Sequence, residues 1–335
     1  MSYTVLYTEG NVTKDISDFV TSIQYGGERL TAVRKLDVSL LSGTDAYIPK
    51  LDLKRGARLT LFSEDKELIR AVIFKEDRDD RGGVKITAYT HGIYLTKNKD
   101  TIKFEQQKAS QIVGVICSKF GIPAGTIVDT QVIHPKFIFR ESTLWDMILT
   151  ALTETTKQNN IKYRVFFQNG RLNICEKRKQ AESWVLEAGN NLISANSSAS
   201  IEELRNQVKI TARLPKGGKK ELEFVVKNEE FQKLYGIMQE VKEETGDGMT
   251  ESKVMQIANT MLKELCREEI EADVDAIGID AVEAGMAVYV VEPVSGLTGS
   301  FYIDQDDHSI EGNKHTMKLK LSFTDEVPQL DYVAP

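Results

Sequence analysis

The run EIEADVDAI, Glu269 to Ile277, carries a carboxylate at every second position. In an extended chain successive side chains point to opposite faces. Glu269, Glu271, Asp273 and Asp275 therefore share one face, and Ile270, Ala272, Val274 and Ala276 the other. Four carboxylates along one strand repel each other, so that face belongs in water, against cations, or along a channel whose wall repels anions. A solvated sheet exterior and a lumen-facing wall both satisfy the pattern. Lys314, Lys318 and Lys320 near the end of the chain could offset the charge from a neighbouring strand.

Other candidates for chemistry fail on their spacing. ETGDGMTESKVM invites a calcium-loop reading, but counting from Asp247 the third and fifth positions are Met249 and Glu251, and the glycine falls second instead of sixth. The clusters Glu76, Asp77, Asp79, Asp80 and Asp304, Asp306, Asp307 could chelate a hard cation. Acidic residues at hairpin ends more often form a solvated turn that keeps a sheet edge from pairing with strangers. His91, His134, His308 and His315 make no HExxH and no i, i+4 pair. There is no GxSxG nucleophile turn, and PKGGKK lacks the GxxxxGK(S/T) register of a phosphate loop, so Gly217-Gly218 reads as a hairpin tip. Two carboxylates converging in the fold could still cleave a glycoside, but nothing in the sequence points to such a pair. We expect no metal, no cofactor and no enzymatic activity.

Composition sets the frame. With 335 residues, two or three domains are the natural expectation, and 41% hydrophobic with 28% charged residues suits a globular protein. A net charge of −7 argues against a nucleic-acid footprint, which is basic. Cys117, Cys175 and Cys266 are scattered and odd in number, so neither a disulfide framework nor a CxxC site emerges. No apolar run reaches the roughly 20 residues of a membrane span, and MSYTVLYTEG lacks a signal-peptide pattern.

The elements that must hold these residues are mostly strands. Residues 1–98 show short β-branched runs, YTVLYT, VTSIQY, KLDVSLL, ARLTLF, IRAVIF and VKITAY, with Gly26-Gly27 and Gly82-Gly83 as tight turns. Residues 99–182 read as an α+β unit: one helix over KASQIVGVICSKFGIP, a second capped by Thr143, and a hairpin turning at Asn169-Gly170. Strand character returns over 183–226 and 269–326, interrupted by helices over 227–268, the last of them capped by Thr250; 327–335 is a tail.

Part of this pattern occurs twice. Residues 52–91 and 280–323 each open with an apolar residue three before a glycine, Leu53 with Gly56 and Val282 with Gly285. Each continues as an alternating strand, a second apolar run ending in an acidic cluster, and a closing alternating strand. We expect the two segments to be the same antiparallel sheet, with Gly56 and Gly285 at equivalent turns. The fold class is mainly β with α+β insertions: two duplicated antiparallel β-barrel (tube-like) domains, a middle α+β domain and a helical insert. Two like units per chain would give a homotrimer six, which suits the junction of a sixfold tube with a threefold object.

As an ordered set, RLTAVRKLDVSLL, ITAYTHGIYLTKNKDT, KASQIVGVICSKFGI, STLWDMI, YRVFFQNGRLNI and ADVDAIGIDAVEAGMAVYV resemble the XkdQ/YqbQ-like family of baseplate hub proteins from phage-like elements and contractile tails. The resemblance covers nearly the whole chain, though no single piece of it is distinctive. It implies a fold related to the hubs of phage Mu and the T-even phages, and a structural role with no catalytic residues. The implied partners are other copies in a homotrimer, the tail tube or tube-initiator protein and the central spike. A baseplate wedge, a LysM-bearing hub-associated protein and the tape measure are further partners of this kind. Assembly in the bacterial cytoplasm, without a signal peptide or membrane insertion, would precede release in a particle. The competing expectation is a tail-associated protein that binds or degrades peptidoglycan. A spike-fused hub of type VI secretion is disfavoured, because no long β-helical repeat is present.

Overall fold

The computed structural model describes residues 2–43, 49–177, 184–213, 221–245, 250–323 and 327–333. Contacts divide the chain into two units, residues 1–196 with 272–335, and residues 197–271.

The larger unit begins with β1 (Tyr3–Glu9), β2 (Val12–Asp15), β3 (Val20–Glu28) and β4 (Arg34–Leu41). It continues with β5 (Arg58–Ser63), β6 (Lys66–Arg78) and β7 (Gly83–Tyr89). Alternation puts Leu36, Val38 and Leu40 of β4 in a core with Leu59 and Leu61 of β5 and Val84, Ile86 and Ala88 of β7.

The α+β segment follows as α1 (Gly92–Lys97), β8 (Lys99–Lys108), α2 (Ala109–Phe120), β9 (Ala124–Ile127), β10 (Ile133–Thr143), α3 (Leu144–Asn159), β11 (Tyr163–Gln168) and β12 (Arg171–Glu176). Thr143 caps α3 by accepting from the Asp146 amide at 3.0 Å. Asn169 and Gly170 turn the β11–β12 hairpin with φ of 50° and 71°, the double positive φ of a type I′ turn. The tail is not detached. Tyr332 receives the Ile138 amide on its hydroxyl at 2.8 Å and stands edge-on to Phe137, half-buried against the same core as α2 and α3.

After β13 (Val185–Glu187) and β14 (Leu192–Ser200), the chain enters the smaller unit: β15 (Gln207–Arg213), β16 (Glu221–Lys227), α4 (Glu229–Tyr235), β17 (Gln239–Thr245) and α5 (Glu251–Leu265). Thr250 caps α5 through the Lys253 amide, and Val254 and Ala258 pack on Val208, Ile210 and Ala212. Two expectations change here. Strands β15 and β16 do not join the large sheet; with β17 they form a separate sheet ordered β16-β15-β17, so the insert begins near 197 instead of 227. Gln239–Thr245, rich in helix-forming Glu, Gln and Lys, is a strand, because parallel pairing with β15 from Gln207↔Gln239 to Arg213↔Thr245 overrides local preference. Gly217-Gly218, Asp247 and Met249 lie outside the described residues.

The chain closes with β18 (Glu269–Ile277), β19 (Ala287–Glu292), β20 (Leu297–Glu311) and β21 (Lys314–Ser322). The repeat is visible bond by bond. Gly56 (φ +86°) donates its amide to Ile73 at 2.8 Å, and Ile73 donates back to Ala57 at 2.9 Å. Gly285 (φ +87°) donates to Ile303 at 2.7 Å, and Ile303 to Met286 at 2.9 Å. Each long strand then breaks register one residue on, between Ile73 and Lys75 and between Ile303 and Gln305. Strand orders correspond as well, β3-β4-β7-β6-β5 beside β14-β18-β21-β20-β19.

The two repeats are not separate sheets. Strand β20 pairs with β3, and among the described residues one 13-stranded sheet runs through both. It is not purely antiparallel, since β13 runs parallel to β19.

A Cβ at Gly56 meets nothing within 4 Å, and one at Gly285 meets its first atom at 3.7 Å, so only the positive φ opposes a side chain there. We predict that Gly56→Ala and Gly285→Ala each cost roughly 1–2 kcal/mol, and similar amounts, in urea unfolding.

Candidate functional site

The junction of the repeats is a buried polar seam. Strand β3 carries two adjacent glycines, and the turn expected at Gly26-Gly27 is instead part of the paired strand, with Gly26 opposite Asp307 and Gly27 opposite Asp306. The reason is close approach. A Cβ at Gly26 would stand 2.1 Å from the Asp306 carbonyl oxygen, and one at Gly27 2.9 Å from the Arg34 side chain.

Through that gap Arg34, at the start of β4, reaches Asp306 with two parallel bonds, Nη1 to Oδ1 at 2.9 Å and Nη2 to Oδ2 at 2.6 Å. Asp306 is 0% exposed and also accepts the Ala284 amide at 2.7 Å, tying in the turn before Gly285. One strand position away from the pair, Arg29 binds Asp304 at 2.6 Å, and its backbone amide donates to the Asp304 carbonyl.

A second polar chain starts beside Asp306. Its Oδ2 lies 3.5 Å from His308 Nε2, which faces the Val282 carbonyl at 3.0 Å. A carbonyl only accepts, so His308 carries its hydrogen on Nε2, and its Nδ1 accepts from His315 Nε2 at 3.0 Å. The Tyr3 hydroxyl then lies 2.9 Å from both His315 Nδ1 and Asp280 Oδ1. Tyr25 stacks flat on His308, with ring centres 4.5 Å apart. Gly278 leaves space for His315, since a Cβ there would stand 2.1 Å from its ring.

Burial dominates the titration of this chain. His308 is lowered to about 4, because desolvation outweighs the pull of Asp306. A second proton on its Nδ1 would also face the His315 N–H. Burial lowers His315 too, opposed by Asp280. Tyr3 and Tyr25 are raised, again mainly by burial.

Of the two acidic clusters, only Asp79 and Asp80 lie at a hairpin end, between β6 and β7. Asp304, Asp306 and Asp307 are inside the continuous strand β20: Asp304 at the bulge on Arg29, Asp306 facing inward on Arg34, and Asp307 exposed. In the other repeat Glu76 pairs with Arg78 and Asp77 with Lys75, while Asp79 holds the turn through the Arg81 and Gly83 amides. Among the described residues no three metal-ligating side chains converge.

In β18, Ala272, Val274 and Ala276 are buried, but Ile270 is 41% exposed, so the expected apolar face begins two residues late. Asp273 stands opposite Lys320 and Asp275 opposite Lys318, and Asp275 accepts from the Ser194 hydroxyl at 2.7 Å. Glu269 and Glu271 are exposed and precede these paired positions. Lys314 pairs instead with Glu311 across the last hairpin.

A family model described as YQBQ-like matches residues 23–322, most of the chain and all of the seam except Tyr3. The chain belongs to the YQBQ-like family. It is 28% identical over 313 residues to the phage-like element PBSX protein XkdQ of Bacillus subtilis, covering 92% of this chain and 94% of that protein. Its fold is similar to that of the 43 kDa tail protein of prophage MuSo2 from Shewanella oneidensis, with TM-score 0.71, 15% identity and 95% and 97% of the two chains covered. It is also similar, at TM-score 0.55 and 10% identity over 94% and 77%, to the E. coli c3393 protein, a component of the type VI secretion system.

The seam supports two predictions. Removing the guanidinium with Arg34→Met strands a buried carboxylate and should cost roughly 3–5 kcal/mol, while the Arg34→Met/Asp306→Leu double variant should recover part of the loss, as a double-mutant cycle in urea would read. The second concerns pH. The unfolded chain protonates the His308 imidazole near 6.5, the folded chain only at about 4. The contribution is therefore fully present above 6.5 and is lost as pH falls from there toward 4, by roughly 3 kcal/mol, because the unfolded chain binds more protons in that window. Unfolding midpoints measured from pH 7.5 to 4.5 should fall less steeply for His308→Asn than for the unaltered protein.

Proposed function

We propose that this protein is a structural hub subunit of a tail baseplate, a homotrimeric adaptor between a sixfold tail tube and a threefold spike. The observation that carries the reading is the repeated five-strand unit, β3-β4-β7-β6-β5 and β14-β18-β21-β20-β19, joined through β3 and β20 in one sheet. A chain with two like units gives three copies six similar positions under true threefold symmetry. Membership of the YQBQ-like family and the resemblance to tail proteins support the setting. The seam supports a scaffold role, because its charges are matched within the chain.

In this reading the tube or tube-initiator protein and the central spike are the partners, and the chain has no catalytic function. The face bearing Glu269, Glu271, Asp273 and Asp275 borders the lumen, with Lys320 and Lys318 tempering the two aspartates.

A reconstruction of the assembled particle tests this. The expected result is three copies between tube and spike, with those four carboxylates toward the threefold axis. Six copies in a sixfold ring would overturn the adaptor role, and carboxylates on the outer circumference would remove the lumen assignment. Peptidoglycan clearing by the purified protein in a zymogram would replace the reading with a degradative one.

A further inference from the structure

We propose that β6 of one copy and β14 of a second copy pair edge to edge, forming between molecules the seam that β20 and β3 form within one. The inference rests on the trimeric hub reading and names the contact that would hold the trimer together.

It follows from comparing the two repeats strand by strand. Counted from the shared register break, Lys75–Arg78 of β6 correspond to Gln305–His308 of β20. In β20 that stretch has β21 on one side and β3 on the other. In β6 it has, among the described residues, β7 on one side only, because pairing with β5 stops at Val72. Among the described residues, the first repeat thus has no strand at this edge where its twin has β3. Strand β14 shows the converse. It takes the place of β3 in the second repeat, yet ends the sheet with β18 as its sole strand neighbour among the described residues. Each open edge matches one side of a junction the chain already makes.

Surface chemistry agrees. Phe74 on β6 is 39% exposed beside Tyr89 and Tyr94, and Ile193 on β14 is 58% exposed, so both edges carry a large, partly exposed apolar side chain. Long open edges with apolar residues promote pairing unless they are covered. After Ile193, β14 reads SANSSAS, with nothing larger than asparagine. The internal seam is reached through Gly26 and Gly27, and small side chains on β14 permit a similarly close approach. Arg34 and Asp306 are not repeated in the second junction: Glu76, which corresponds to Asp306, is held by Arg78 of its own strand. The junction between copies would therefore lack the buried ion pair and be the weaker of the two.

The two edges differ, so the contact is head-to-tail and closes only as a ring. In a trimer, internal and intermolecular seams would alternate around it.

The test is cross-linking in assembled particles. In a chain carrying Cys175→Ser and Cys266→Ser, the pairs Asp77→Cys/Ser194→Cys and Lys75→Cys/Asn196→Cys would be treated with a short bismaleimide. Gln24→Cys/Ser309→Cys, opposite each other across the internal seam, serves as the intramolecular control. The expected product is a covalent trimer from at least one intermolecular pair and none from either single cysteine. Particles that hold three copies between tube and spike but yield only monomer would overturn this contact and leave the hub reading standing. Particles with another copy number would overturn both. Hydrogen exchange on particles of the unaltered protein gives an independent reading. Amides of Lys75–Arg78 and Ile193–Asn196 should exchange roughly tenfold or more slower than in open strands, and fast exchange at both would also overturn the contact.

Discussion

The buried pair of Arg34 and Asp306 is the constraint around which the large sheet is arranged. Asp306 has no exposure, and a two-pronged guanidinium and a backbone amide satisfy its carboxylate. Such a pair contributes little net stability against an apolar substitute, since desolvation offsets most of the attraction. Its value lies in specificity. If β20 slid by one residue along β3, Asp306 would turn to the opposite face and leave Arg34 without its partner. The pair therefore fixes the register of the strand that joins the repeats. Glycines 26 and 27 are consequences of it, because each vacates space that the pair or its backbone occupies.

The repeats have diverged where their surroundings differ. The bulge residue is Asp304 where it anchors Arg29, and Phe74 where it packs edge-on to Tyr89 and tilted against Tyr94. The backbone device at Gly56 and Gly285 is kept, while the side chains around it serve different neighbours. That is the behaviour expected of a duplicated unit whose main-chain geometry is fixed by hydrogen bonds and whose faces meet different surfaces.

Much of the repeat was legible in the sequence because glycine position and period-two alternation are local signals. The Thr143 and Thr250 caps and the Asn169-Gly170 turn were legible for the same reason. The seam was not. Gly26-Gly27 has the composition of a turn, and only a partner strand almost three hundred residues away explains it as a close approach. Asp306 sits in an acidic run that resembles a solvated loop, and the signal that it is buried, the alternation through Ile303 and Ile310, is broken by the bulge. Strand β17 was hidden by residues that favour helices, since its pairing with β15 carries no local mark. In β18 the alternation was right, but its start was masked by Ile270, an apolar residue the fold leaves exposed. The lysines opposite Asp273 and Asp275 could be anticipated only as a possibility, because register depends on both strands.

Strand β20 is 15 residues long and lies in both repeats' sheets, with seven of its residues paired to β3. That geometry has a mechanical meaning. A force drawing the repeats apart along the strand direction loads the whole ladder at once, with the Arg34 and Arg29 bonds in parallel, so the joint yields only when many bonds fail together. A force peeling β3 away sideways meets them one after another. The junction is stiff to sliding and softer to opening.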